Sequence, residues 1–444
     1  MREINSQNRR VSIYKITGGK KLQGAVKVAG AKNAATKEIV ASLLTREKCR
    51  LGNVPRIGDI EVTLEMCKLL GSNYSWTGDG ALEIENSALS SFEIPFDYTG
   101  INRIPILLLG PLLHRFGKAV VPVPGGCRIG PRPVDFHIQA LQRLGASVEL
   151  KDEKFIVHAR KLSGNLIELP YPSVGATENI IITATLAEGT TTIKNAAVEP
   201  EVIDLISFLQ SMGAIIYVDV DRKIVVEGVK ELNGAAHRVI NDRIEAASFA
   251  SLAAVTEGDV MVEGASQDHM LTFLNYYRKV GGRFRVEEDG IHFFSAGTLT
   301  PVAMETDVHP WFMTDWQQPF AVMLTQADGL SVIHETVYEN RFGYAEELKR
   351  MGAEIQLYNY CLGNKPCRFS GRDYKHSCVI KGKSLLKGRE IRIPDLRAGF
   401  SYLIAAAIAE GVSEIHGVEY IERGYENIFG KFKALGADIE VCEK

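Results

Sequence analysis

An apolar residue, a glycine and a small residue, followed by alternating apolar positions, occur together six times along the chain. The copies are Leu70-Gly71-Ser72, Leu144-Gly145-Ala146, Met212-Gly213-Ala214, Val280-Gly281-Gly282, Met351-Gly352-Ala353 and Leu435-Gly436-Ala437. Their nearly even spacing implies one supersecondary unit repeated through the whole chain. Ahead of four copies an acidic residue precedes another glycine: Glu188-Gly189, Glu257-Gly258, Asp328-Gly329 and Glu410-Gly411, each at a similar distance upstream of the marker glycine. The spacing predicts, in each unit, a helix ended by a left-handed glycine cap, a short strand, a loop, a second capped helix and a further strand, as at 147–150 and 438–441. The fold class is therefore mixed α/β (α+β). Six units of about 70 residues divide naturally into two sets of three, because one hydrophobic core stops growing near ~250–300 residues.

With 45% hydrophobic and 24% charged residues among 444, the composition excludes a disordered or fibrous chain. The formal net charge of -3 supplies no global field for nucleic acid or an anionic membrane, so any anion binding must be local. The most apolar stretch, Ile104 to Leu113, is interrupted by Pro105, Gly110 and Pro111 and is shorter than the ~20 residues of a membrane helix. It is expected to be core. The first ten residues lack the apolar run of a secretory signal, and the protein is expected to be cytoplasmic. Seven scattered cysteines, an odd number, are expected to be reduced thiols.

Loops between each strand and second helix share one phase, at 53–59, 124–133, 195–201, 264–268, 335–341 and 417–424. Arg132, Arg341 and Arg423 stand at nearly matching distances before their marker glycines, Gly145, Gly352 and Gly436. Cys127, between Gly125-Gly126 and Arg128 in a loop stiffened by Pro124, Pro131 and Pro133, is a thiol in positive surroundings. Lys32-Asn33 precedes a helical stretch, where Lys32 is either a phosphate ligand or a solvated surface charge. Arg103 borders the apolar run and either snorkels or binds. Asp315 and Asp395 each sit in a short loop before an apolar segment. Each is a general base or a helix N-cap, and by itself the capping reading wins. Gly382-Lys383-Ser384 resembles the end of a phosphate loop, but position 377 is Ser instead of Gly. His334-Glu335 runs on to Tyr338, which fails the zinc-protease spacing, and there is no Cys-x-x-Cys pair. No metal centre is expected. What remains is Lys32, Arg132, Arg341, Arg397 and Arg423 on separate loops, one thiol, and one or two carboxylates. Guanidinium forks match carboxylate and phosphate oxygens two at a time, so this set suits a small substrate bearing both groups.

Seven segments in order, 30–35, 124–135, 173–177, 195–201, 335–341, 395–397 and 423–425, resemble the enolpyruvyl transferases over about residues 16–441. Retention of the Cys127 loop resembles their sugar-nucleotide branch. The resemblance implies two inside-out α/β barrel-like domains, each of three βαβαββ repeats: one of residues 32–240, the other of 1–31 plus 241–444, with the active site in the cleft between them. It further implies transfer of the enolpyruvyl group of phosphoenolpyruvate to the 3'-hydroxyl of UDP-N-acetylglucosamine with release of phosphate, the first committed step of peptidoglycan synthesis, without cofactor. Cys127 would be the general acid and Asp315 the group that takes the sugar hydroxyl's proton. Lys32, Arg132 and Arg423 would hold the phosphate of phosphoenolpyruvate and Arg341 and Arg397 its carboxylate, with Asn33 also binding phosphoenolpyruvate. Asn33, Arg103, Arg132, Pro133, Val134, Asp135, Phe136, Ser173, Val174, Gly175, Asp315 and Val337 would contact the sugar nucleotide. The alternatives are transfer to another nucleotide or sugar acceptor, for which Tyr171 and Phe136 are departures from the family pattern, and a homologue that binds without turnover.

Overall fold

The computed structural model describes residues 12–78, 80–125, 133–294, 297–365 and 367–443. Their contacts divide into two compact units, one of residues 30–125 and 133–240, the other of 12–29 and 241–443. Each unit contains three small sheets, six in all, of four strands except for one of three. The sheet on Thr190–Lys194 shows the plan. Leu166–Glu168 lies parallel to that strand, the helix Val174–Ala184 joins them, the helix Pro200–Ser211 follows, and the hairpin Ile215–Asp219 with Lys223–Glu227 closes the sheet antiparallel. In register, Ile193 faces Ile167 and Ile224.

The chain's route explains why the second unit is discontinuous. Gln23–Lys27 pairs in parallel with Asp259–Glu263, while Ser12–Thr17 lies antiparallel between Val412–His416 and Asp438–Glu443. The first unit is closed by Ala236–Arg238, which pairs in parallel with Cys49–Gly52. Strand pairing thus binds residues 12–27 to a unit whose other residues begin at 241.

All six marker glycines have φ between 87° and 112°, the left-handed conformation in which a Cβ is penalised, so the repeated signature is a repeated backbone requirement. At Glu257-Gly258 the reading shifts by one residue. Glu257 takes the positive φ of 49°, and Gly258 is required because a Cβ there would lie 2.3 Å from the Leu22 carbonyl oxygen. The loop expected at 417–424 is also corrected, since Val418–Glu422 forms a short helix.

In each unit three helices are buried on nearly every face. They are Lys32–Ala41, Leu109–Phe116 (continuing the 3₁₀ turn Ile104–Leu108) and Val174–Ala184 in the first, and Arg243–Val255, Gln317–Thr325 and Leu396–Ile408 in the second. Where such a helix is apolar all round, as in Leu403-Ile-Ala-Ala-Ala-Ile408, it shows no amphipathic stripe because no face meets solvent, whereas Lys32–Ala41 and Leu109–Phe116 keep a few polar, partly exposed residues. The strand-following helices, such as Gly58–Leu70 and Gln267–Lys279, are half exposed and carry the usual stripe. Ile104–Leu113 is core, as its composition implies. Among the described residues no helix is long and apolar enough to cross a membrane.

Candidate active site

The buried helices decide where polar groups collect, because a helix that is dry along its length presents its polar character only at its ends. In the second unit three helix N-termini converge. Asp315 lies in the 3₁₀ turn Thr314–Trp316 that leads into Gln317–Thr325. The Trp316 indole Nε1 donates to the Arg243 carbonyl in the first turn of Arg243–Val255 (3.3 Å). Arg397, in the first turn of Leu396–Ile408, directs its guanidinium to Asp315. Two of these helices are capped by side chains. Asp242 Oδ1 accepts from the N–H of Ile244 and Glu245 (2.8 and 3.1 Å), and Asp395 Oδ1 from Arg397 and Ala398 (2.9 and 3.1 Å). Each cap contributes about 1 kcal/mol.

Asp395 is therefore the N-cap that its sequence context favours. Asp315 is not, and the capping reading is corrected there. Its Oδ1 accepts from Arg341 Nη2 at 2.5 Å and its Oδ2 from Arg397 Nε at 3.2 Å. Position in the chain could not decide this, because Arg341 stands 26 residues further along the same unit and Arg397 82 residues on, in the next one. Arg341 and Arg397 are almost wholly buried, whereas the Asp315 side chain keeps 18% of its surface exposed, so the bridging carboxylate is the member that solvent can reach.

Burial disfavours a charged guanidinium, yet at Arg341 the carboxylates of Asp315, Asp395 and Glu335 outweigh it and raise the pKa further. For Arg397, Tyr425 and Asp315 do the same, with Arg397 Nη1 donating to the Tyr425 hydroxyl at 2.9 Å. Burial pushes the Tyr425 hydroxyl up to about 12, so it is a neutral partner at physiological pH. The pair of guanidiniums is a fixed dication.

Behind it stands Glu335, fully buried at the end of the strand Gly329–His334. Its Oε2 accepts from Thr314 Oγ1 (3.0 Å) and Gln317 Nε2 (2.6 Å), and its Oε1 from the N–H of Val337 and Tyr338 (2.8 and 2.9 Å). One carboxylate thus shapes the 335–341 segment and ties it to the Asp315 turn. Sequence reasoning assigned no role to Glu335, Tyr425 or Arg243. Their signals were a glutamate opening the loop before Arg341, a tyrosine two residues after Arg423, and a basic residue in the first helical turn, as at Lys32 and Arg397. Arg423 is half-buried just after the helix Val418–Glu422.

The first unit repeats the theme. Lys32 begins Lys32–Ala41 and its Nζ donates to Asp59 Oδ2 at 2.9 Å, a mostly buried pair. The partner Asp59 was passed over in the sequence. Asn33 follows Lys32 in the same turn, and its carbonyl accepts from Lys37 Nζ at 2.6 Å. Arg103 precedes the turn Ile104–Leu108 and its Nη2 reaches the Pro133 carbonyl at 3.5 Å. Asp135 and Phe136 open the helix Asp135–Arg143, and Val134 precedes it. Ser173 caps Val174–Ala184, its hydroxyl accepting from the Ala176 N–H at 3.4 Å. Gly175 lies against His137, where a Cβ would meet the imidazole at 3.3 Å, so the beginnings of these two helices adjoin. Pro133 to Phe136, Arg103 and Ser173 to Gly175 thereby form one neighbourhood. Cys127 and Arg132 lie outside the described residues.

The family of EPSP synthase (3-phosphoshikimate 1-carboxyvinyltransferase) matches residues 16–432. The chain belongs to the enolpyruvyl transferase family. A relative from Protochlamydia amoebophila, named UDP-N-acetylglucosamine 1-carboxyvinyltransferase, is 53% identical over 442 residues, covering 98% of this chain and 95% of its own. A relative of the same name from Chlamydia pneumoniae is 49% identical, covering 98% of this chain and 96% of its own. UDP-N-acetylglucosamine 1-carboxyvinyltransferase 1 of Staphylococcus aureus is 39% identical, covering 96% of this chain and 98% of its own. Among solved structures, the enolpyruvyl transferase NikO from Streptomyces tendae superposes with a TM-score of 0.86 at 23% identity, over 98% of this chain and all of that one. The EPSP synthase of Acinetobacter baumannii gives 0.73 at 20%, with the same coverage, so these two likenesses establish the enolpyruvyl transferase fold.

Proposed function

We propose that this enolpyruvyl transferase moves the enolpyruvyl group of phosphoenolpyruvate to the 3'-hydroxyl of UDP-N-acetylglucosamine and releases phosphate, in the cytoplasm, as the first committed step of peptidoglycan synthesis. What carries the reading is the 53% identity over nearly the full length to a relative named for that activity. In this reading the two compact units are inside-out barrel-like domains of three repeats each, divided near residues 31 and 240.

The side chains support an addition-elimination course. Asp315, Arg341 and Arg397 form a hydrogen-bonded triad with an exchangeable member, because a substrate carboxylate presents the two guanidiniums with the same pair of oxygens as Asp315 does. Once phosphoenolpyruvate takes that place, the Asp315 carboxylate is released to accept the proton of the sugar hydroxyl as oxygen attacks C2. Arg341 and Arg397 then stabilise charge developing beside that carbon, in a dry site where fixed charges act strongly. Lys32, Arg132 and Arg423 hold the phosphate, and Asn33 contributes to both substrates. Cys127 protonates C3 in the addition and assists phosphate departure in the elimination, where a proton leaves C3 as the bond from C2 to the phosphate oxygen breaks and the double bond re-forms. Arg103, Pro133 to Phe136, Ser173 to Gly175 and Val337 orient the sugar nucleotide.

Cys127→Ser should lose turnover by about 10²-fold or more, the scale of a lost general acid, while UDP-N-acetylglucosamine binding stays within threefold. Fosfomycin, an epoxide, should alkylate the parent enzyme at Cys127. A serine variant with undiminished rate, or an adduct mapped by mass spectrometry to another cysteine, would remove the acid assignment.

A further inference from the structure

The longest interval between marker glycines, from Gly352 to Gly436, holds a loop, 359–376, between the paired strands Glu354–Tyr358 and Ser377–Gly382. Hairpin connections usually take about 2–5 residues, and a longer one without regular structure needs something else to hold it. In this loop Cys361, Cys367 and His376 meet His334, the last residue of the neighbouring strand Gly329–His334, with one ligand atom of each within 4.8 Å of all the others.

Each of the four is oriented as a metal ligand would be. His334 Nδ1 is bonded to Glu305 Oε2 at 2.9 Å, which leaves Nε2, and that atom is buried without a hydrogen-bond partner. Orphaned imidazole nitrogens are costly in a dry site unless something accepts their lone pair. His376 donates from Nδ1 to the Tyr374 carbonyl at 2.7 Å, again leaving Nε2, which lies 3.4 Å from Cys361 Sγ. That separation is close to the edge, about 3.5 Å, of a tetrahedron with metal–sulfur and metal–nitrogen bonds of roughly 2.3 and 2.0 Å. Cys367 Sγ is in contact with the Cys361 thiol and accepts the N–H of Phe369 at 3.4 Å.

The surroundings are built to hold these orientations. Glu305 Oε1 accepts from Asn364 N–H and Oε2 from Lys365 N–H, both at 3.0 Å, while Oε2 holds His334. Gly363 permits that approach, since a Cβ would sit 2.1 Å from Glu305 Oε2. A carboxylate bonded to the outer nitrogen of a ligating histidine fixes its tautomer and raises its basicity.

We propose that His334, Cys361, Cys367 and His376 form a structural zinc site. Two thiolates balance the Zn²⁺ charge, and two imidazoles complete a closed tetrahedron of the soft and borderline donors that select zinc. The metal clips the 359–376 loop to the end of its sheet. The same loop carries Arg368, whose guanidinium reaches the Val337 carbonyl and lies 3.7 Å from Glu339, so the clip also steadies the 335–341 segment. The sequence reading missed the site because it tested close cysteine pairs, whereas two of these ligands are histidines at strand boundaries.

The test uses the full chain purified without chelator. Elemental analysis should find about one zinc per chain, released to a chromophoric chelator when a mercurial blocks the thiols. Cobalt substitution should give the visible bands of tetrahedral cobalt with thiolate charge transfer in the near ultraviolet. Cys361→Ser with Cys367→Ser should lose the metal and become cleavable within 359–376 under limited proteolysis, while the rest of the chain resists. If those variants fail to fold, the cobalt spectrum of the parent chain still decides. Trace zinc in an active, folded parent, or a parent lighter by two hydrogens through a Cys361–Cys367 disulfide, would overturn the proposal.

Discussion

Asp315→Asn should reduce turnover by about 10²–10⁴-fold, the range for removing a general base, without raising the KM for phosphoenolpyruvate. The split follows from the geometry. Asp315 holds one donor of each guanidinium, so under the proposed function it competes with the carboxylate of phosphoenolpyruvate for Arg341 and Arg397. An uncharged amide competes less, and phosphoenolpyruvate binding should hold or tighten while proton removal fails. A purely structural aspartate would behave differently, because its loss would disorder the two arginines and raise KM along with lowering kcat. Steady-state kinetics of the variant distinguish the two, and a rate within threefold of the parent would end the assignment of Asp315 as base.

Glu335→Ala should destabilise the chain by about 3–5 kcal/mol, the cost of removing one partner from a buried, hydrogen-bonded charged group. Four donors lose their acceptor together: Thr314, Gln317 and the backbone N–H groups of Val337 and Tyr338. Arg341 also loses one of the carboxylates that offset its burial. Glu335→Gln keeps two acceptor sites on one oxygen and should cost less. Denaturant unfolding measures both, and an alanine variant within about 1 kcal/mol of the parent would show that the 335–341 segment is held by other contacts.

The fold was legible wherever the backbone demands a particular residue. Gly71, Gly145, Gly213, Gly281, Gly352 and Gly436 repeat in the sequence because each takes a conformation that side chains resist. The discontinuous second unit was less accessible from composition or period, since pairing of Gln23–Lys27 with Asp259–Glu263 joins segments that the whole of the first unit separates in the chain. Only the family resemblance pointed to it.

The candidate site divides along similar lines. Lys32, Arg103, Ser173, Asp315 and Arg397 stand at or just before the beginnings of buried helices, and a polar residue ahead of an apolar run is visible in a sequence. Partners are not. Asp59 beside Lys32, Tyr425 beside Arg397 and Glu335 behind Arg341 are brought in by the fold, and no local pattern says which cation each will meet. The histidine and cysteine cluster at 334–376 was hidden for the same reason, its four ligands spread over a strand end and a long loop.

The most direct test of the function is phosphate release from phosphoenolpyruvate in parallel reactions with UDP-N-acetylglucosamine, uridine monophosphate and shikimate 3-phosphate. Release with the UDP-sugar alone is the predicted result. Release with a different acceptor would keep the addition-elimination chemistry and contradict the cell-wall role, and no release with any of the three would contradict catalysis itself.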